Sequence, residues 1–350
     1  MGITREQFEQ QRRPRFGTAN PERMEVPFWE WMIRGDDQPP PDDGRVLSEF
    51  GLVMREGILK STYGPYRARD LFQVPLNRED GPIWTFDRMG QSRTELPDGR
   101  LVCVAGEHED SYDPDFHIYN DVVVFAPDGG IEIYGYPRDV FPPTDFHTAS
   151  LDGDRLVIVG SIGYPQDRVP GHTPVYSLDL TSYRIDPLDT AGQMPGWIAH
   201  HEAELDAGRR VVTVRGGEVL VEREGGGRFR RNVEEYELDL RTLMWRRTTD
   251  RNWPQFEIRP TDRKWFDLDH RPNFEIFRPA GIPHEVLPPA DWSSYQLLVH
   301  GITVRFIVGG REVEVLIEGV LPEGTAQSLV EAARRYVEAA IGRECVVDVF

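Results

Sequence analysis

Apolar residues in this chain fall into short runs bounded by turn-forming residues, and one such run recurs. Leu101-Val-Cys-Val104, Leu156-Val-Ile-Val159 and Val211-Val-Thr-Val214 stand about 55 residues apart, the regular spacing that marks a repeat architecture. Runs of this length, rich in β-branched residues and flanked by Gly, Asp and Pro, predict β-strands. Asp98-Gly99, Asp152-Gly153 and Asp128-Gly129-Gly130 predict the hairpin turns between them, because Asp-Gly takes positive φ readily. Val122 to Phe125, Ile131 to Tyr134, Val175 to Leu180, Tyr183 to Ile185, Glu235 to Leu240 and Leu243 to Arg247 supply further strands.

Outside the repeats the period changes. Thr4-Arg-Glu-Gln7 has the form of a capping box and predicts a short helix that Pro14 would stop. Asn20-Pro21-Glu22 is a second helix start signal. Phe28-Trp29-Glu30-Trp31-Met32-Ile33 is expected to form a helical lid. Gly35 to Gly44 is polar and Pro-rich, Val46 to Val53 reads as helical, and Gly57 to Arg88 follows no period. Asp250 to Pro289 is rich in Pro, Arg and aromatics and predicts an extended connector. Beyond it come strands at Tyr295 to His300, Ile302 to Val308 and Val313 to Ile317, with a turn at Gly309-Gly310. A helix capped by Thr325 follows, with apolar Leu329, Ala333, Val337 and Ile341 at helical spacing, stopped by Gly342. Cys345 to Phe350 is a final strand. The order βββαβ lets one helix cover one face of a sheet. The expected division is an N-terminal helical and irregular segment (1–56), the repeats (57–253), a Pro- and aromatic-rich connector (254–291) and a small α+β domain (292–350).

The three units run from Ser92 to Gly130, His147 to Arg184 and His201 to Arg247. They share one order: strand, turn, apolar strand ending near glycine, variable loop, strand with aromatic-x-x-Asp, turn, and a closing Trp or Tyr. In this order the region resembles the Kelch repeat of galactose-oxidase-like β-propellers, over about half of the chain. The resemblance implies a mainly-β fold, a Kelch-like β-propeller with three clear repeats. Degenerate blades or a second copy of the chain would complete the ring, since closed propellers have about four to eight blades. A double glycine survives only at Gly216-Gly217. The whole chain is also similar to bacterial proteins with the stretches GEHEDSYDPDFHIYND and FPPTDFHTA, a similarity that brings no activity with it.

Charge narrows the partners. The 350 residues carry a net charge of −19, which repels nucleic acid and anionic lipid and favours a basic protein partner. Two cysteines, Cys103 and Cys345, are too few for a disulfide framework. No signal-like apolar stretch opens the chain and no run approaches 18 apolar residues, so the expected location is the cytoplasm.

The densest candidate chemistry is Glu107-His-Glu-Asp-Ser-Tyr-Asp-Pro-Asp-Phe-His117, in the variable loop of the first repeat. Glu107, His108, Glu109, Asp113, Asp115 and His117 are the loop's binding candidates, and His147 and His201 join them at equivalent starts of the next two repeats. One reading makes the chain a non-catalytic interaction protein, regulatory or toxin-neutralising, without a cofactor, that presents the loops around Glu107 to Asp121 and Tyr164 to Thr173. The alternative is a metal-dependent enzyme whose divalent ion is held by His117, Asp113 and Asp115, with His147 and His201 nearby, since imidazole with carboxylate suits zinc, iron or manganese. The bland reading of the same residues is an acidic solvated loop, with the repeat histidines in structural hydrogen bonds. Arg228-Phe-Arg-Arg231 and Arg246-Arg247 read as a solvated strand face pairing with nearby Glu. A copper oxidase site would need a Cys–Tyr pair, which Cys103 and Tyr112 or Tyr119 do not supply. No Gly-x-Ser-x-Gly, His-Glu-x-x-His or Cys-x-x-Cys occurs.

Overall fold

The computed structural model describes residues 3–34, 81–109, 116–222, 226–266, 268, 277–288 and 294–350. Asp113 and Asp115, and the stretches predicted at 35–44 and 46–53, lie outside them. The chain divides into two compact units, 1–249 and 250–350.

The first unit contains three successive sheets, each with four antiparallel strands at its centre, together with a three-stranded sheet of Ile198–Ala199, Glu218–Val221 and Arg228–Arg231 and a two-stranded ladder of Glu107–His108 and His117–Ile118. In the first, Ser92–Glu95, Leu101–Val104, Val122–Phe125 and Ile131–Gly135 are neighbours in that order, and Glu22–Arg23 joins the outer edge. The second runs Thr148–Asp152, Arg155–Val159, Val175–Asp179, Ile185–Pro187. In the third, Glu202–Asp206, Val211–Arg215, Tyr236–Asp239 and Met244–Arg247 are followed by Ala191–Gly192, which pairs parallel with Met244–Arg247. Asn20-Pro21-Glu22 therefore starts no helix: Glu22 and Arg23 are strand residues opposite Gly135 and Tyr134.

The aromatic-x-x-Asp signature has a local cause in the second and third sheets. Asp179 Oδ1 accepts from Thr181 N–H and Ser182 N–H, and Asp239 Oδ1 accepts from Arg241 N–H and Thr242 N–H. These are Asx-turns that reverse the chain. Tyr183 and Leu243 then take positive φ, 55° and 58°, and donate back to Asp179 O and Asp239 O.

The burial pattern explains why the recurring runs are apolar throughout. Val102, Val104, Val122 and Val124 pack against Leu156, Ile158 and Leu178 of the second sheet. The alternate residues Cys103, Val123 and Phe125 face Phe8, Phe28, Trp29, Met32, Trp84 and Phe86 instead. Val157, Val159 and Val175 of the second sheet pack on Val212, Val214 and Leu238 of the third. A strand covered on both faces cannot alternate with polar residues. The third sheet has one such face only. Its other side carries Glu202, Glu204, Arg215, Glu237 and Arg246, joined by Arg215–Glu202 and Arg246–Glu237 pairs at 2.9 and 2.6 Å. Arg231 pairs with Glu218 at 3.1 Å, so the arginine-rich strands do find local Glu partners.

The helical layer over the first sheet begins with the predicted capping box, in which Gln7 N–H donates to Thr4 Oγ1 and Thr4 N–H to Gln7 Oε1. Pro27–Arg34 is the second helix. Trp29 stacks on Trp84 with centroids 5.0 Å apart and donates its indole N–H to Gln11 O.

The second unit is a six-stranded antiparallel sheet in the order His284–Leu287, Ser294–Val299, Ile302–Val308, Val313–Ile317, Gln255–Pro260, Cys345–Val349. Helix Thr325–Ile341 buries Leu329, Val330, Ala333 and Val337 in its core. Two expectations need correction here. Gln255–Pro260 is a strand inside this sheet rather than part of a connector, its alternation of Ile258 and Glu257 masked in the sequence by neighbouring Pro and Arg. The helix is preceded by Gly324 at φ 74°, with no side-chain cap from Thr325. Among the described residues no helix is long and apolar enough to cross a membrane.

Several glycines of the first unit stand where a Cβ would strike backbone, Gly160 among them. Gly160 follows the second strand of the second sheet at φ 78°. A Cβ there would meet the Ile198 carbonyl oxygen and lie 2.7 Å from the His201 ring. Gly160→Ala is expected to cost about 2 kcal/mol or more, from the left-handed backbone and the displaced carbonyl together. Urea unfolding of the variant measures it.

Candidate functional site

The antiparallel register sets where the loops collect. Val104 lies opposite Ser92, Val159 opposite Thr148 and Arg215 opposite Glu202. The loop after the second strand of each sheet therefore leaves from the end at which the first strand enters. The three entries are linked through backbone. Gly90, Phe146 and His200 all take positive φ, 61°, 47° and 55°. Phe146 N–H donates to Gly90 O at 2.9 Å and His200 N–H to Phe146 O at 3.0 Å.

The histidines that follow two of these residues join sheet to sheet. His147 Nε2 lies 2.8 Å from Ser92 Oγ of the first sheet, and His201 Nε2 lies 2.9 Å from Thr148 Oγ1 of the second. Both Nδ1 atoms are buried without a partner. Burial pushes the His147 pKa down to about 3 and that of His201 to about 4, so both are neutral at pH 7. A bare lone pair costs less than a bare N–H, so we assign the proton to Nε2, donating to the hydroxyl.

The first loop folds back as a two-residue ladder, Glu107–His108 against His117–Ile118, with His108 directly opposite His117. His108 Nδ1 contacts Asp87 O at 2.7 Å. His117 stacks on Phe16 with its centroid 6.2 Å away and meets the edge of Tyr119 at 4.7 Å. Burial, then the Arg88 charge, pushes its pKa down to about 4. Glu109 is exposed. No group of three or more His, Cys, Asp or Glu among the described residues is placed to hold a metal ion. His117, His147 and His201 form no such group among themselves, and Asp113 and Asp115, the other ligands of the metal alternative, lie outside the described residues.

Both roots of this loop are fixed by a residue the sequence did not single out. Arg88, whose side chain is fully buried, pairs with Asp121 and donates to Ala105 O and Thr85 O. Its guanidinium lies 3.4 Å from the Tyr119 ring centroid. No spacing ties Arg88 to Asp121, 33 positions later. The only local hint is Trp84 just before it, in a stretch without period.

Asp145 is the second buried acid at this end. Its Oδ1 accepts from Gly163 N–H at 2.7 Å and from Ser161 Oγ–H at 3.2 Å. Burial still raises its pKa against those two bonds. Gly106 N–H donates to Thr144 O at 2.8 Å, which brings the residues that follow, Glu107 and Asp145, into each other's field. Glu107 is 5 % exposed, and its Oε2 has no hydrogen-bond partner. Burial, then the charges of Asp145 and Glu109, raises its pKa to about 7. Around Asp145 stand His200 and Arg168, the latter donating to Ile162 O and Gly163 O and lying 5.1 Å over the Phe229 ring of the third loop.

The Glu107 shift has a sign that can be tested. A carboxyl raised on folding binds its proton more tightly in the folded state, so stability is lost as pH rises from 4.5 to 7. Glu107→Gln removes that loss. The variant is expected to be more stable than wild type at pH 8, by roughly 1–3 kcal/mol at 1.36 kcal/mol per pKa unit, and no more stable at pH 4. Denaturant midpoints at the two pH values decide it.

No family model matches the chain, and no curated protein matches it. Among solved structures it is similar to the one titled "Structure of YjhT", at 12 % identity and a TM-score of 0.31, over 68 % of this chain. The chain spans 66 % of the length of that structure's chain.

Proposed function

We propose that the three sheets are blades of a Kelch-like β-propeller arc, and that the protein is a non-catalytic binding protein whose loop-bearing end takes a basic protein partner. The observation that carries this reading is the use of the repeat histidines. His147 and His201 each hold a hydroxyl of the preceding sheet, so the polar residues at the start of the repeats bind sheet to sheet and the loops are left to recognise. The charged far side of the third sheet supports reading it as the solvent end of the arc, not the seat of another blade.

Two loops meet where the partner would sit. Phe116, 41 % exposed, touches Tyr164 edge-on with centroids 5.8 Å apart. Arg138 lies 5.5 Å over Tyr164 and pairs with Asp167 at 2.7 Å. Aromatic and arginine side chains of this kind dominate the energetics of protein interfaces. The net charge of −19 steers a basic partner toward the molecule.

The test is capture from native cell extract by wild type and two variants, Phe116→Ala and the double variant Asp113→Asn/Asp115→Asn. Capture of a basic protein is expected to fall at least tenfold with Phe116→Ala and to weaken with added salt in wild type. Unchanged capture in both variants would remove the loops from the interface. Elemental analysis of the same preparations, with His117→Ala and Asp115→Ala, addresses the metal-dependent alternative. A near-stoichiometric transition metal that both variants lose would overturn the non-catalytic reading.

A further inference from the structure

Glu107 is a carboxyl largely removed from water, with one of its two oxygens left without a partner. It is 5 % exposed, and its Oε2 accepts no hydrogen bond. The charges acting on it are those of Asp145 and Glu109, both repulsive. Asp145 receives both of its hydrogen bonds on Oδ1. The nearby cation, Arg168, directs Nε and Nη2 to backbone carbonyls, and burial holds His200 toward its neutral form. An unpartnered buried carboxylate is costly, and a second acid beside it adds to the cost. A donor cation between the two would supply the missing hydrogen bonds and cancel the repulsion together. Among the described residues no third His, Cys, Asp or Glu joins the two acids to complete a metal-coordination set.

We infer that Glu107 and Asp145 form a receptor for a single cationic N–H donor, an alkylammonium or guanidinium group, bound between the two carboxylates at the loop-bearing end of the sheets. The inference rests on the proposed function only for the source of the cation. A Lys or Arg side chain of the basic partner and a free amine carry the same chemistry.

Calorimetric titration of the full chain at pH 8 and 150 mM salt tests it, with spermidine and acetyl-Gly-Lys-Gly-amide as probes. One-site saturable binding is expected for at least one probe, with Kd at least tenfold weaker in Glu107→Gln. That substitution removes one charge from a net −19, so diffuse attraction to an acidic surface would hardly change. Thermal unfolding confirms that the variant is folded. Asp145→Asn repeats the test from the other side of the pair. Absence of saturable binding for both probes, or a Kd change below tenfold in Glu107→Gln, would overturn the receptor, and a buried water would then be the occupant. Tighter binding of the peptide identifies a partner side chain, and tighter binding of spermidine a free amine. Spermidine binding without capture of any basic protein would sink the proposed function and leave this inference standing. Capture that survives Glu107→Gln, with probe binding lost, would support the receptor and separate it from the protein interface.

Discussion

Replacing Arg88 by methionine is expected to destabilise the first unit by about 3–5 kcal/mol, the range for breaking a buried ion pair from one side. The guanidinium is fully enclosed and directs its donors inward: Nε to Thr85 O at 2.7 Å, Nη1 to Ala105 O at 3.1 Å and to Asp121 Oδ1, and Nη2 to Asp121 Oδ2 at 3.0 Å. Without it the Asp121 carboxylate keeps, among the described residues, the Trp84 indole N–H at 2.9 Å, and two buried carbonyls lose a donor. Methionine fills much of the volume, so the loss is electrostatic rather than a cavity. Arg88→Met/Asp121→Leu should therefore cost clearly less than Arg88→Met alone, since the double variant leaves no buried charge. Urea unfolding of the three proteins decides it. A loss below about 1 kcal/mol for Arg88→Met would show that the pair is solvated. A second readout follows from His117, whose pKa is held down first by burial and then by the Arg88 charge. It should rise in Arg88→Met, and an NMR titration of the imidazole would show it.

The three sheets were legible because a strand covered on both faces has no choice of pattern. Leu101-Val-Cys-Val104 and Leu156-Val-Ile-Val159 are apolar on both sides and bounded by Asp-Gly turns, and both form as expected. The third run looked like a full repeat of them, yet Thr213 and Arg215 already record that one of its faces meets solvent, as do Glu202 and Glu204 on the paired strand. The strand at Gln255–Pro260 was hidden for a different reason. It ends in proline, and its two partners, Val313–Ile317 and Cys345–Val349, come more than 50 residues later. Nothing local marks such a pairing.

The candidate site was legible in composition and not in geometry. The loop from Glu107 to His117 stood out by its density of acids and histidines, but density does not tell which side chain is covered. Glu107 is buried and Glu109, two residues on, is exposed, because the short ladder with His117–Ile118 turns Glu107 inward. His147 and His201 were identifiable as equivalent positions of a repeat. Their role as links became visible only once Ser92 and Thr148, each 50-odd residues earlier, were seen to stand at equivalent positions of the preceding sheet. Gly160 and Ser161 carried a weaker signal, the glycine that closes the apolar strand, and Ser161 then supplies a hydrogen bond to Asp145.

Those two histidines also make the contacts between the three sheets acid-labile. Their folded pKa values of about 3 and about 4 lie below the ordinary 6.5, so the unfolded chain binds more protons throughout that interval. Stability is complete above pH 6.5 and is lost as pH falls toward the folded values. At pH 4.5, two units below 6.5, each imidazole accounts for roughly 2–3 kcal/mol of lost stability at 1.36 kcal/mol per unit. Glu107 works in the opposite direction over the same range, so the wild-type curve alone does not isolate the effect. The double variant His147→Gln/His201→Gln does, because the amide N–H of glutamine can still reach Ser92 Oγ and Thr148 Oγ1 but does not titrate. At pH 7 it should be less stable than wild type by about 1–3 kcal/mol, for two imperfectly replaced side chains. Between pH 7 and 4.5 it should lose about 4 kcal/mol less than wild type does. Denaturant titrations at both pH values measure the difference, and parallel losses in the two proteins would mean that these imidazoles take up protons in the folded sheets at their ordinary pKa.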